Sequence, residues 1–300
     1  MMRPATEKLI AFYTAVCACT LMGIMAVIVG YLFHRGWRSL GLELVFGSTP
    51  VLDALFFRRQ VFDGLFPAMA GTIVLVVLAM GMAIPAGIAA GVYIAEYARG
   101  RTLRLFNLLL DILAGVPSIL VGLFGFSIAV FLHRFFSGRI GPCLLVSAMS
   151  LSFLVLPYMI RTTHSALESL PETLRKTALA LGASRLQNIT RVLLPQALSG
   201  IASGVILSIG RCAEDTAVIL LTGVVASAGV PRSLLGPYEA LPFYIYYISS
   251  QYTDAEELAG GYGAAIVLLA LCLSLYGLSI FIQNRVKRTA EGGRGNWGAP

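Results

Sequence analysis

Residues 67–95 read PAMAGTIVLVVLAMGMAIPAGIAAGVYIA, 29 residues without one charged side chain. About 20 apolar residues carry an α-helix across the hydrocarbon core of a bilayer. Backbone in lipid must satisfy its own hydrogen bonds, so a run of this length predicts a membrane-spanning helix. Five more runs of the same kind lie around it, at 9–33, 105–133, 143–160, 200–226 and 261–282. The first exceeds a signal-peptide core and has no A-x-A site after it, so it is expected to be a retained span.

The composition agrees. Apolar side chains make up 57% of the 300 residues and charged ones 12%, with a mean hydropathy of +0.82. A soluble domain carries about 25% charged residues, so a soluble enzyme, a disordered chain and a disulfide-stapled module are all excluded. A net charge of +7 would point to nucleic acid in a soluble protein. In so apolar a chain the basic residues are expected to line the cytoplasmic membrane face, and nucleic acid is not an expected partner. Cys17, Cys19, Cys143, Cys212 and Cys272 fall in apolar stretches with no CxxC pair, which predicts no metal centre. None of Lys8, Lys176 and Lys287 completes a GxxxxGK[ST] loop, so any ATP hydrolysis belongs to another chain. No Ser/His/Asp, HExxH or paired-carboxylate arrangement supports chemistry on a substrate, and no cofactor is expected.

With the N-terminus inside, the inner segments hold 14 Lys and Arg and the outer ones 7, with Arg211 inside a span. That ratio predicts a multi-pass protein with both termini cytoplasmic. The outer segment 34–66, with Arg35, Arg38, Arg58 and Arg59, runs against the trend. Segment 227–260 carries Glu239, Asp254, Glu256, Glu257 and the tyrosine-rich run PFYIYYI at 242–248. It reads either as an interfacial aromatic belt or as an outer gate or docking surface.

The longest inner segment, 161–199, has its own punctuation. Pro171 suits a first helical turn and Glu172 its positive end. Residues 173–181 then read as helix, Gly182 as a left-handed stop, and SRLQ at 184–187 as a capping box opening a second helix that Pro195 ends.

KTALALG at 176–182, nine residues, then VLLP at 192–195 resembles the EAA loop of ABC-importer permeases. Ala178, Gly182, Leu194 and Pro195 match that pattern, while Lys176 replaces its acid and Thr177 its first alanine. The resemblance implies that the 171–195 hairpin, including Lys176, Thr177, Ala178, Gly182, Ala183 and Pro195, couples to an ATP-hydrolysing subunit. EYA at 96–98, LAGVPSI at 113–119 and GRCAEDTA at 210–217 are similar to phosphate-specific (Pst-type) permeases, nearer the A-subunit branch.

The fifth span carries Arg211, Glu214 and Asp215, spaced i, i+3 and i+4 and so expected on one helix face. An unpaired charge at that depth costs roughly 2.5–3.5 kcal/mol, so the three should face protein or water rather than lipid. Two readings stand: a buried Arg211–Asp215 pair that fixes packing, or a translocation path and gate lined by Arg211, Glu214, Asp215 and Thr216. The Pst resemblance implies a transport role for Arg211 and Asp215. Asp215 is a methylene shorter than the Glu usual there, and Glu214 stands where Gly is usual, which favours a gate over direct anion binding. Pro117 and Ser118 are expected to kink the third span and Pro85 the second. Asp111 is expected to cap its helix or pair with an Arg of the 99–104 loop, and His133 and His164 to be interfacial.

The expected architecture is an all-α integral membrane protein with six transmembrane helices around a MetI-like ABC-importer permease core. Residues 1–65 would form a first span and external segment, 66–285 the core, and 286–300 a disordered cytoplasmic tail. The resemblance implies the permease subunit of a phosphate importer in the cell inner membrane. Its partners would be a second permease (a paralogue), two ATP-binding subunits, an external phosphate-binding protein and membrane lipid. An importer of phosphonate, sulfate or molybdate and an ion-coupled carrier working alone are the alternatives.

Overall fold

The computed structural model describes residues 4–51, 64–136 and 141–292, with side chains for 7–51, 64–136 and 141–285. Every regular element among them is helical. In chain order these are α1 (Pro4–Gly36), α2 (Leu42–Phe46), α3 (Phe66–Glu96), α4 (Arg101–Gly115), α5 (Ser118–Phe135) and α6 (Leu144–Glu168). Then come α7 (Glu172–Ala180), α8 (Arg185–Asn188), α9 (Leu194–Glu214), α10 (Thr216–Thr222), α11 (Leu241–Gln251) and α12 (Ala255–Gly292). Six helical stretches among the described residues are long and apolar enough to cross a membrane.

Helix α6 is the centre of the bundle. In its most apolar stretch 67% of residues are buried, against none in that of α1. Small residues let α3 lie against it: a Cβ at Gly87 would run into Met159 and one at Gly91 into Thr163. Ala79 and Ala83 are fully buried on the same helix. Lipid offers no hydrophobic drive between helices, so such close backbone approach supplies the packing. Helix α1 stands outside this core and touches it near its C-terminal end, where a Cβ at Gly36 would meet Tyr262 and Ile266 of α12.

Several expectations need correction. The third span does not run unbroken over 105–133: it divides at Val116 and Pro117 into α4 and α5, and only α5 is a candidate span. Pro117 does more than kink it. Val116 is driven extended (ψ 125°) by the proline after it, and Pro117 itself (φ −58°, ψ 138°) stands as the N-cap of α5. The freed backbone is satisfied by Leu120 donating to the Pro117 carbonyl at 3.0 Å; Ser118 forms the first turn of α5. Pro85, by contrast, lies inside an unbroken α3. Asp111 pairs with Arg161 of α6 rather than with the 99–104 loop.

The fifth span is also displaced. Its candidate membrane helix runs Arg185–Glu214 and stops at Asp215, instead of continuing to residue 226. Pro195 does not end a helix. A π turn at Ile189–Leu193 shifts the register, Leu194 donates to the Ile189 carbonyl, and Pro195, which lacks an N–H, falls in the first turn of α9. At the C-terminus α12 continues through Gly292, so helix replaces the first part of the expected disordered tail; residues 293–300 lie outside the described residues.

Beyond α10 the chain folds back over the start of α6. The Cys143, Leu144 and Leu145 N–H groups, orphans at a helix start, donate to the carbonyls of Thr222, Gly236 and Leu234 at 2.9, 3.1 and 2.8 Å. The tyrosine-rich run forms α11, which packs on α12.

Candidate functional site

Two groups of residues stand at opposite ends of one helical rod. The first is the hairpin. Helix α7 ends in a Schellman motif: Gly182 (φ +85°) donates to the Leu179 carbonyl at 3.0 Å and Ala183 to the Ala178 carbonyl at 3.1 Å. Only a residue at ease in the left-handed region fits position 182, and Ala178 and Ala183 frame it. Ser184 then accepts from the Gln187 N–H at 3.2 Å while the Gln187 side chain accepts from the Ser184 N–H at 2.9 Å, the reciprocal capping box expected there.

Lys176 does not reach outward alone: it pairs with Glu172 at 2.7 Å, and its hydrogen bond, then its charge, hold the Glu172 carboxyl below the ordinary value. Thr177 turns back on the Thr173 carbonyl at 2.7 Å. Beside these polar side chains, leucines also project, with Leu179 and Leu186 exposed and Leu181 84% exposed.

Sequence reasoning missed what holds this hairpin to the bundle. Arg175 pairs with Glu96 at the end of α3 and also donates to the Leu167 carbonyl at 2.6 Å. Asn188 of α8 donates to the Arg175 carbonyl at 3.1 Å, and the Arg185 guanidinium lies 5.2 Å from the Tyr97 ring centre. Glu96 and Tyr97 were visible as part of the EYA stretch. Arg175, 79 positions away from Glu96, carried no local signal.

The second group is the charged cluster at the far end of α9. Arg211, Glu214 and Asp215 do come together, but on a helix end and a break instead of one continuous helix. Asp215 (φ −76°, ψ 105°) is the N-cap of α10, and its Oδ1 accepts from the Val218 N–H at 3.0 Å. Its Oδ2 stands 3.3 Å from Arg211 Nη2, and Glu214 Oε1 stands 3.5 Å from Arg211 Nη1. Arg211 Nε is buried and has no hydrogen-bond partner among the described residues. Thr216 occupies the first turn of α10, half-buried.

The short helix behind the break is clamped. A Cβ at Gly122 of α5 would come within 2.9 Å of the Ala217 carbonyl oxygen, and Thr222 donates to Ser147 Oγ of α6 at 2.8 Å. Gly223 (φ +139°) closes α10 against the backbone of Pro142 and Cys143. The arrangement offers a guanidinium with spare donors beside one locked and one loose carboxylate. Its chemistry suits binding or gating an anion.

Known proteins share this architecture. The chain is 34% identical over 256 residues to the phosphate transport system permease protein PstA of Haemophilus influenzae, covering 85% of this chain and 86% of that one. Among solved structures, a bacterial alginate ABC transporter chain superposes with a TM-score of 0.62 at 15% identity, covering 94% of this chain and 96% of that one. A chain of the inward-facing MetNI methionine ABC transporter gives 0.51 at 20% identity, over 81% and 99%. The family model for the binding-protein-dependent transport system inner membrane component matches residues 83–288. The helical bundle, the spans and that match over more than half the sequence place the chain in one group: it belongs to the family of inner membrane components of binding-protein-dependent transport systems.

Proposed function

We propose that this chain is the permease subunit of an ATP-driven importer of inorganic phosphate, working by alternating access. It hydrolyses nothing itself. Two ATP-binding subunits, a second permease (a paralogue) and an external phosphate-binding protein complete the transporter, with both termini of this chain in the cytoplasm of a cell bounded by that inner membrane. The similarity to PstA supports phosphate as the cargo.

One observation carries the mechanism: the hairpin and Arg211 are joined by a single rod. From Arg185 the helix runs through the π turn to Glu214, so at 1.5 Å per residue a push at Leu186 arrives at Arg211 about 38 Å away. The exposed leucines of the hairpin tip form the contact with the ATPase, and Lys176, Thr177, Ala178, Gly182, Ala183 and Pro195 shape it. ATP-driven closure of the ATPases tilts the rod, and Arg211, Glu214, Asp215 and Thr216 line the route that opens. A guanidinium suits phosphate because its planar fork donates paired, charge-assisted hydrogen bonds.

The test is phosphate uptake into vesicles carrying the complete transporter with Arg211→Ala in this chain. Uptake is expected to vanish while all partner chains still co-purify. Normal uptake by the variant would refute the role of Arg211.

A further inference from the structure

The two carboxylates beside Arg211 are held very differently. The Asp215 side chain is 3% exposed, and its two oxygens are divided between the α10 cap and Arg211 Nη2. It cannot leave without uncapping the helix. Glu214 is 61% exposed, touches Arg211 Nη1 only at 3.5 Å, and has no other hydrogen bond among the described residues. Around it α12 presents Cys272 and Tyr276, near enough to feel its charge, and neither is a cation. Among the described residues, the guanidinium alone holds Glu214 where it is.

Charge arithmetic sharpens the contrast. One guanidinium between two carboxylates leaves a net negative site, which repels an arriving anion. The Arg211 donors are nevertheless under-used, with two long contacts and a buried Nε that has no partner among the described residues. A carboxylate and a phosphate offer a guanidinium the same kind of acceptor oxygens. The chain therefore carries, on a flexible side chain, a group that imitates its cargo.

We propose that Glu214 is a tethered stand-in for the transported anion: it occupies Arg211 Nη1 when the path is empty and swings away when phosphate takes that donor. Asp215 stays in place throughout and holds the guanidinium in position. This deepens the phosphate-importer reading and rests on it. The stand-in keeps the site from retaining phosphate, because it competes for the same donor as soon as the ion begins to leave. No bond is made or broken; one oxyanion replaces another on a fixed cation.

The experiment is phosphate uptake against phosphate concentration, with the complete transporter in vesicles, for wild type, Glu214→Gln and Glu214→Ala. Exposed ion pairs at this kind of contact hold their partners by roughly twofold to fivefold. The half-saturating phosphate concentration is expected to fall by that factor in both variants, with uptake retained. In Glu214→Ala, added acetate should raise it back toward the wild-type value, whereas wild type should be far less sensitive to acetate. A purely structural glutamate would show no such competition.

Unchanged half-saturation in both variants overturns the proposal. So does loss of uptake in both with the complex intact, since the residue would then be required rather than displaced. Failure of both variants to assemble also overturns it, because a displaceable side chain holds no fold together. Wild-type vesicles that import no phosphate overturn the importer reading itself, and the proposal with it.

Discussion

Cutting the Arg175–Glu96 pair should loosen the hairpin without unfolding the bundle. The pair joins α7 to the end of α3, and its side chains are 23% and 10% exposed. Fully exposed pairs are worth about 0.2–1 kcal/mol, while breaking a fully buried one costs about 3–5 kcal/mol. Glu96→Gln lies between those limits. It removes the countercharge but leaves the guanidinium its bond to the Leu167 carbonyl at 2.6 Å, so the cost should be that of one charged hydrogen bond, about 2 kcal/mol. The loss falls on local opening, because the bundle core around α6 does not include either residue. An opening equilibrium eased by about 2 kcal/mol speeds amide exchange some 30-fold. Hydrogen exchange of the purified transporter, read on amides 172–188, should show that acceleration in Glu96→Gln and a larger one in Arg175→Met, which also loses the bond to the Leu167 carbonyl. The double variant should exceed Arg175→Met by little, because that change already removes the interaction shared with Glu96. Wild-type protection of the hairpin in Glu96→Gln, or simple additivity in the double variant, would refute the reasoning.

Two further outcomes follow from packing and burial. A methyl group at Gly204 would collide with Thr162 of α6, whereas one at Gly277 meets nothing within 4 Å; Gly204→Ala should destabilise the purified protein by about 1–3 kcal/mol and Gly277→Ala should leave its melting temperature unchanged. Glu239 accepts from the Ala228 and Gly229 N–H groups at 2.8 and 2.7 Å, yet burial pushes its pKa above the ordinary 4.5. The folded form then binds the proton more tightly than the unfolded form. Its stabilising share is full below pH 4.5 and is lost as pH rises through the higher folded value. Thermal melts across that range should show the decline in wild type and a flatter profile in Glu239→Gln.

Apolar run length sufficed for six spans, because a bilayer demands it locally. The hairpin was legible for a related reason: Gly182, Ser184 and Gln187 lie within five positions of one another, so their geometry is written in the spacing. The failures share a cause as well. Where spans end depends on which backbone groups find partners. An apolar stretch gives no hint that Asp215 will spend an oxygen on the Val218 N–H, or that a π turn will absorb Pro195. Pro85 and Pro117 look alike in sequence. The first is itself exposed, but the opposite face of its helix, with Ala79, Ala83 and Gly87 buried, packs on α6 and holds the helix together. Around the second, α4 has Leu110 as its one buried residue among those described, and little opposes a break. Pairs such as Arg175–Glu96 and Asp111–Arg161 span 79 and 50 positions, and no local pattern announces them.

The break at Asp215 gives the charged cluster its mechanical meaning under the proposed function. Up to Glu214 the chain belongs to the rod that ends in the hairpin, and from Thr216 it belongs to a block clamped on α5 and α6 by Gly122, Thr222 and Gly223. Arg211 and Glu214 therefore ride on the rod, and Asp215 rides on the block, since its carboxylate is tied to Val218. The 3.3 Å contact between Arg211 and Asp215 crosses the seam. A continuous helix over 200–226 would have moved all three charges together and left their distances fixed. With the break, that one contact ties the moving rod to the fixed block, while Glu214, which rides with Arg211, stays free to leave Nη1 to an anion. A gate built on this seam requires no large rearrangement at the site, only the end-to-end stiffness of α9 and the immobility of a seven-residue helix beside it.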